Sequence, residues 1–335
     1  MNNVVSGITE LLKILSDSFR LASLFPAIVF IWLNRLLVAP HLESVTPVKE
    51  VISQDFWDQT LFLGLLAVIL GYTLNAIEVS IVRLYEGYPW RHTQLGRLLT
   101  AWHRYRFDTL HREIDELDRK LMKQLNQIPP GQQNRLADQL DHVIKVREIE
   151  VANQFPQDSA QILPTRLGNV IAAFESYPGQ KYGMDGVSFW PRMLPVLATQ
   201  KYLPYINQAR STLDFLLNIS LLMAILGLEF LMIRIVFTAT VHWVFPVVAF
   251  LASWLFYQAA IQSVGGWAAF FKAGFDLFRY HLAILLGLTV ASSFVEEKKR
   301  WEKLTQFWNS IEPTAEYSHF HYDGQNWPAN IEKKE

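Results

Sequence analysis

Not one cysteine occurs among the 335 residues, which excludes a disulfide framework, thiolate metal sites and a thiol nucleophile. Charge of either sign is not in excess. Lys and Arg number 30 against 31 Asp and Glu, a formal net charge of −1, so nothing argues for nucleic-acid binding. No Gly-rich phosphate loop, Ser/His/Asp set or paired-carboxylate arrangement stands out. The chain is therefore expected not to be an enzyme, to use no cofactor, and to hold no catalytic or metal-ligating set. The N-terminal stretch does not read as a basic leader with a small-residue cleavage site. The stretch before the first apolar run is instead amphipathic, with Val4, Val5, Ile8, Leu11, Leu12 and Leu15 on one side, so that run is expected to stay in the mature protein.

What the chain has in quantity is apolar residues, 51% of the total with only 18% charged. They gather in four runs: Leu21 to Val38, Leu61 to Val79, Leu213 to Val236 and Val241 to Gln262. About 20 apolar residues span a bilayer core as one helix, so each run predicts a membrane-spanning helix. A polar stretch of over a hundred residues separates the second run from the third, long enough for a folded part of its own. The expected fold is all-α: a multipass transmembrane bundle of four spans with a cytoplasmic helical domain containing an antiparallel helical hairpin. Its expected divisions are 1–82 (amphipathic segment and first two spans), 83–210 (hairpin and aromatic loop), 211–263 (last two spans) and 264–335 (interfacial helix, cytoplasmic helix and polar tail).

Short loops rich in Lys and Arg stay in the cytoplasm. The loop from Ala39 to Gln59 carries Lys49 against Glu43, Glu50, Asp55 and Asp58, whereas Lys13 and Arg20 precede the first span and Arg83, Arg91, Arg97, Arg104 and Arg106 follow the second. That asymmetry places both termini and the polar middle in the cytoplasm.

Within the middle, Phe107, Leu110, Ile114, Leu117 and Leu121 recur at steps of three and four, the seam of a packed helix pair. Asp108 with Arg112, Asp115 with Arg119 and Glu116 with Lys120 stand four apart on the outer faces. Pro129, Pro130 and Gly131 interrupt, and a second amphipathic segment follows through Leu136, Leu140, Val143, Ile144 and Val151. A short connection of this kind makes antiparallel neighbours. Further on, Thr165 is a helix-cap candidate ahead of Leu167, Val170, Ile171 and Phe174, and Tyr177-Pro178-Gly179 is expected to end that helix. The loop expected after it is dense in aromatics. Its reading as packing beneath the membrane competes with a ligand or partner site built from Arg166, Asn169, Glu175, Tyr177, Tyr182, Asp185, Trp190 and Arg192.

The runs RLGN, E-x-YP, YG-x-D and WPR, with EGY after the second span and FDLFR at Phe275 to Arg279, resemble a pattern in bacterial multipass membrane proteins of uncharacterised function. The resemblance touches scattered points between residue 84 and about residue 301 and implies a bacterial plasma-membrane protein; it implies no activity.

Gly265-Gly266 is expected to break the fourth helix, leaving Trp267 to Leu288 to lie at the cytoplasmic interface rather than to make a fifth span, because Lys272, Asp276 and Arg279 form a polar stripe that is costly in lipid. Trp301, Leu304, Trp308 and Ile311 predict a short amphipathic helix. In the tail, His319, His321 and Asp323 alternate as metal ligands on a strand would, although a terminal tail is a poor platform for a rigid site. His103 and His111 are expected to be solvated.

Ionisable and amide groups inside the spans are the better functional markers. They are Arg35, Asn75, Glu78, Glu229 and Arg234, with Arg35 and Glu229 at similar depth and able to pair. Two functions compete. The chain is expected to act as a membrane anchor, sensor or scaffold through its cytoplasmic helices, with the bilayer and either a cytoplasmic protein or further copies of itself as partners. The alternative is an oligomeric ion channel or small-solute transporter gated by the cytoplasmic domain.

Overall fold

The computed structural model describes residues 20–42, 56–125, 130–236, 242–288 and 291–310. The His319 to Asp323 motif and the amphipathic segment before Leu21 lie outside them. The described residues are helical, with no strand among them. Four helices are long and apolar enough to cross a membrane: Ala22–Leu42, Gln59–Ala76, Leu203–Val236 and Val244–Leu285. The chain divides into two compact units, Met1–Tyr85 with Asn207–Trp267 and Glu86–Ile206 with Ala268–Glu335.

In the first unit, α1 (Phe25–Leu33) lies between two π-helical turns, Arg20–Leu24 and Asn34–Val38. It packs on α2 (Phe56–Ala76). The approach is close because Ala67 and Gly71 stand four apart on the buried face of α2, and a Cβ on Gly71 would sit 3.2 Å from the Leu24 backbone. Small residues at this spacing let helix backbones meet where no hydrophobic force drives them together. The short helix α3 (Glu78–Glu86) follows. The remaining long helices are α9 (Leu203–Val236) and α10 (Val244–Leu285), where Gly227 lies under the Phe250 ring at 2.9 Å from the Cβ position. Leu61, Leu65, Ile69 and Tyr72 on α2, and Val247, Leu251, Trp254 and Leu255 on α10, are exposed. Such outward apolar faces suit contact with lipid tails.

Gly265-Gly266 does not break the fourth helix. A Cβ at either glycine would meet nothing within 4 Å, and α10 continues through both for 42 residues. Each glycine costs a helix only about 1 kcal/mol relative to alanine, which the tight packing of Phe271 and Phe275 further along can outweigh. At about 1.5 Å per residue the helix is roughly 63 Å long, about twice a ~30 Å hydrocarbon core. The stretch from Trp267 is thus the far part of the fourth helix, neither a separate interfacial helix nor a fifth span.

The second unit contains α4 (Gln94–Leu125) and α5 (Pro130–Gln154), which pack together. Phe107, Ile114 and Leu121 are buried with Ile144, Val151 and Phe155. The buried seam is therefore the seven-residue repeat, while Leu117 and Val143 are outside it and exposed. Arg147 bridges to Glu113 of α4 and Glu150 of its own helix, whereas Arg112 bonds the Asp108 carbonyl and the Thr109 hydroxyl. Pro130 opens α5, in keeping with the tolerance for proline in a first helical turn.

His103 is not solvated. It is 4% exposed, edge-on to Trp102 and Phe155, and its Nδ1 is buried without a hydrogen-bond partner. Burial first, then the positive charges of Arg106 and Arg166, bring its pKa from 6.5 down to about 4. The unfolded chain takes up the proton near 6.5 and the folded one only near 4, so this group's contribution is intact above pH 6.5 and is lost as pH falls towards 4. Thermal unfolding of His103→Phe should be flatter than the parent's between those values; parallel curves would show that another group governs the slope.

The aromatic loop expected after Tyr177-Pro178-Gly179 is instead helical, in two helices. Pro178 sits in the first turn of α7 (Tyr177–Tyr182), which follows α6 (Arg166–Glu175). Proline's fixed φ suits that position, so Tyr177-Pro178-Gly179 starts a helix as well as ending one. Gly183 closes α7 in the left-handed conformation at φ 78°, and Asp185 caps α8 (Gly186–Thr199) by accepting from the Ser188 N–H. The last helix, α11 (Phe294–Asn309), packs on α7 and α8. Phe189 meets the rings of Trp301 and Trp308 at 5.5 and 4.6 Å, and Trp301 is 2% exposed.

Candidate functional site

The eight residues singled out between Arg166 and Arg192 fall into three groups. Asn169 is a fastener. Its Oδ1 accepts from the Leu163 N–H at 2.7 Å, and its Nδ2 donates to the carbonyls of Leu163 and Thr165 at 2.9 and 2.8 Å. The capping Thr165 donates to the Glu86 carbonyl, and the same carbonyl lies 2.4 Å from where a Gly168 Cβ would be. Gly87, at φ 91°, abuts Pro164. RLGN and EGY thus meet in one close backbone crossing, which explains their glycines.

A second group surrounds Asp276 of α10. The hydroxyls of Tyr177 and Tyr182 donate to its carboxylate at 2.9 and 2.5 Å, and Lys181 is 3.3 Å from it while donating to Tyr177. Arg279 bonds Glu297 at 2.9 Å with its guanidinium 4.2 Å above the Tyr182 ring. Lys272 donates to Asn153. Burial, then the bond to Asp276, pushes the Tyr182 hydroxyl up to about 12, and burial likewise raises Tyr177. Lys181 is held above the usual lysine range, first by the Tyr177 hydroxyl. Both phenols therefore stay protonated and both charges stay paired at neutral pH. The cluster ties α7 to α10 and offers no activated base or nucleophile. Trp190 packs on Phe271 and Phe275, and Arg192 stacks 3.9 Å above Trp308.

The third group faces an opening. Glu175 and Asp185 line a cleft of about 460 Å³ with Asp158, Gln180, Glu302 and Thr305. Arg166 is exposed at the start of α6. The cleft is lined by acidic and amide side chains, but no group of three His, Asp or Glu among the described residues is arranged to hold a metal ion.

In the first unit, Arg35 and Glu229 do not pair. Arg35 reaches Gln59 at 3.4 Å and leaves its Nε buried and unpartnered. The side chain facing Glu229 is that of Asn34, and Glu229 Oε2 is buried without a partner. The π-turn Asn34–Val38 rotates the helix at this point, so equal depth does not become contact. Asn75 is exposed, and Arg234 stacks 4.3 Å above Trp243. Glu78 lies 3.5 Å from Arg210, whose Nε contacts both Asp214 oxygens at 3.2 Å and whose guanidinium is 4.7 Å above Trp267. Asn218 donates to the Ala22 carbonyl at 2.7 Å. Ser220 accepts from Tyr85 at 2.8 Å and donates to the Ser253 carbonyl at 2.9 Å.

Arg210, Asp214, Asn218 and Ser220 escaped sequence reasoning. A signal was present: Ser211, Asp214 and Asn218 recur at steps of three and four across the start of an apolar run, which marks one polar face on a helix. No family model, curated protein or solved structure matches the chain, so its function is argued from these side chains.

Proposed function

We propose that this chain is a multipass membrane anchor, with both termini cytoplasmic, whose second unit binds a partner or senses a ligand as a cytoplasmic helical domain with α4 and α5 as an antiparallel hairpin. The supporting observation is how the polar groups of the first unit are used. Asn218, Ser220, Tyr85, Arg210 and Glu78 bond one helix to another, with Asp214 holding Arg210 from the same helix, as buried polar groups in membrane bundles commonly do to hold helices together. The second unit has its own aromatic core and an open acidic cleft, as a recognition domain needs.

Removing Leu110 to Leu140 should abolish partner recovery while leaving membrane insertion intact, since the spans carry the insertion signal. Reporters near Glu50 and after Glu335 should read external and cytoplasmic respectively. An external C-terminus, or undiminished partner recovery after the deletion, defeats the proposal.

The unpartnered Glu229 Oε2 and Arg35 Nε favour a second reading, an oligomeric channel or small-solute transporter, because uncompensated polar atoms in a span often mark a solute path. On that reading, liposomes containing the protein carry a selective ion flux that changes with Glu229→Gln.

A further inference from the structure

Helix α4 has two apolar faces, and only one is covered. Phe107, Ile114 and Leu121 are buried in the seam with α5. On the other face Leu95, Leu98, Trp102 and Tyr105 recur at steps of three, four and three, and are 61%, 69%, 51% and 64% exposed. The same length of chain is free of acid. From Gly87 to Phe107 there are four arginines and no Asp or Glu, and the first carboxylate is Asp108. The apolar stripe and the acid-free segment therefore end together, and beyond them the helix carries mixed charge. Upstream, the apolar helix α2 ends at Ala76, with only α3 and the turn at Gly87 between it and α4.

We propose that the first half of α4 lies on an anionic lipid surface, with Leu95, Leu98, Trp102 and Tyr105 entering the headgroup region and Arg97 and Arg104 meeting lipid phosphates. An apolar stripe ending in Trp and Tyr, set among arginines, is the composition of a helix that rests in the membrane interface. Arg106, stacked 5.3 Å over the Trp102 ring, keeps a cation beside one aromatic of the stripe. Charge argues against a second copy of the chain as the occupant. A two-fold contact would set the acid-free segment against itself, and like charges would repel. A soluble anion would satisfy the arginines but leave the stripe in water.

Because the chain has no cysteine, the full-length Leu98→Cys variant takes a single environment-sensitive fluorophore. Glu116→Cys, five helical turns further along the same face, is the control. In vesicles of phosphatidylcholine with phosphatidylglycerol, the label at 98 should be blue-shifted and quenched by a lipid-borne quencher, and the label at 116 by aqueous iodide. Adding Arg97→Gln and Arg104→Gln should lower the ratio of docked to undocked label by about fivefold for each arginine removed, and high salt should do the same. Both arginines are exposed, so an unchanged unfolding midpoint will show that the fold is intact. Equal iodide access to the label at 98 in neutral and anionic vesicles overturns the proposal. So does equal shielding in detergent without lipid, which would mean that protein covers the stripe.

Discussion

Replacing Arg210 by glutamine should destabilise the first unit by about 3–5 kcal/mol, the usual cost of removing one partner from a buried ion pair. Asp214 is 5% exposed, and its two oxygens share the Arg210 Nε at 3.2 Å. Without the guanidinium that carboxylate has only Glu78, another acid, on its charged side. Stacking over Trp267 at 4.7 Å is lost as well, and a glutamine amide supplies neither the charge nor the planar fork. Arg210 and Glu78 are 29% and 32% exposed, so water relieves part of the penalty and the lower end of the range is expected. The double variant Arg210→Gln, Asp214→Asn should recover most of the loss, because the orphaned charge is then gone. Denaturant unfolding in detergent, run as a double-mutant cycle, measures this. Losses that simply add would mean that Arg210 acts through Trp267 or Glu78 rather than through Asp214.

The features legible in the sequence were those that one periodicity or one length decides. Four apolar runs are visible because a helix across ~30 Å of hydrocarbon needs about 20 apolar residues in succession. The α4 seam is visible because Phe107, Ile114 and Leu121 keep a strict repeat of seven, and the Thr165 cap because the following stripe has a clear start. Local signals failed where distant contacts overruled them. Gly265-Gly266 is a breaker by propensity, yet the helix crosses it because its far half is packed around Phe271 and Phe275. His103, in a charged segment, is buried because Phe155 arrives from fifty residues away. Arg35 and Glu229 share a depth but not a direction, since a π-turn cannot be foreseen from apolar spacing. The candidate ligand residues were mixed for the same reason. Arg, Asn, Glu and Tyr in an aromatic segment look alike as ligands or as fasteners until their partners are known. Glu175 and Asp185 line the cleft, Asp185 while also capping α8, and Asn169, Tyr177 and Tyr182 are committed to bonds within the protein.

That commitment makes Asn169 the residue whose loss should be felt most in the second unit. It is 1% exposed, and all three of its side-chain hydrogen bonds go to backbone groups of the segment Leu163 to Thr165. In Asn169→Leu the branched shape is kept, with methyl groups bulkier than the amide, and the Leu163 N–H and carbonyl lose their partner in a buried site. Each buried orphan costs about 1–3 kcal/mol, so a loss of about 2–6 kcal/mol is expected from the two together. The Thr165 carbonyl fares better, because it also accepts from the Asn169 backbone N–H at 3.1 Å. Asn169→Asp should do no better than leucine: it keeps the acceptor for Leu163 N–H but aims a buried carboxylate at two carbonyls. Asn153→Leu, which removes only the exposed contact with Lys272, should change stability by less than about 0.5 kcal/mol. Thermal unfolding ranks the three variants, and hydrogen exchange locates the damage. Faster exchange should appear first between Phe155 and Thr165, the segment that Asn169 fastens and that carries Asp158 and Gln161 to the edge of the acidic cleft. If Asn169→Leu unfolds at the parent's midpoint with exchange unchanged there, the cleft does not depend on this staple, and Thr165 with Gly168 at the Glu86 carbonyl must hold that wall alone.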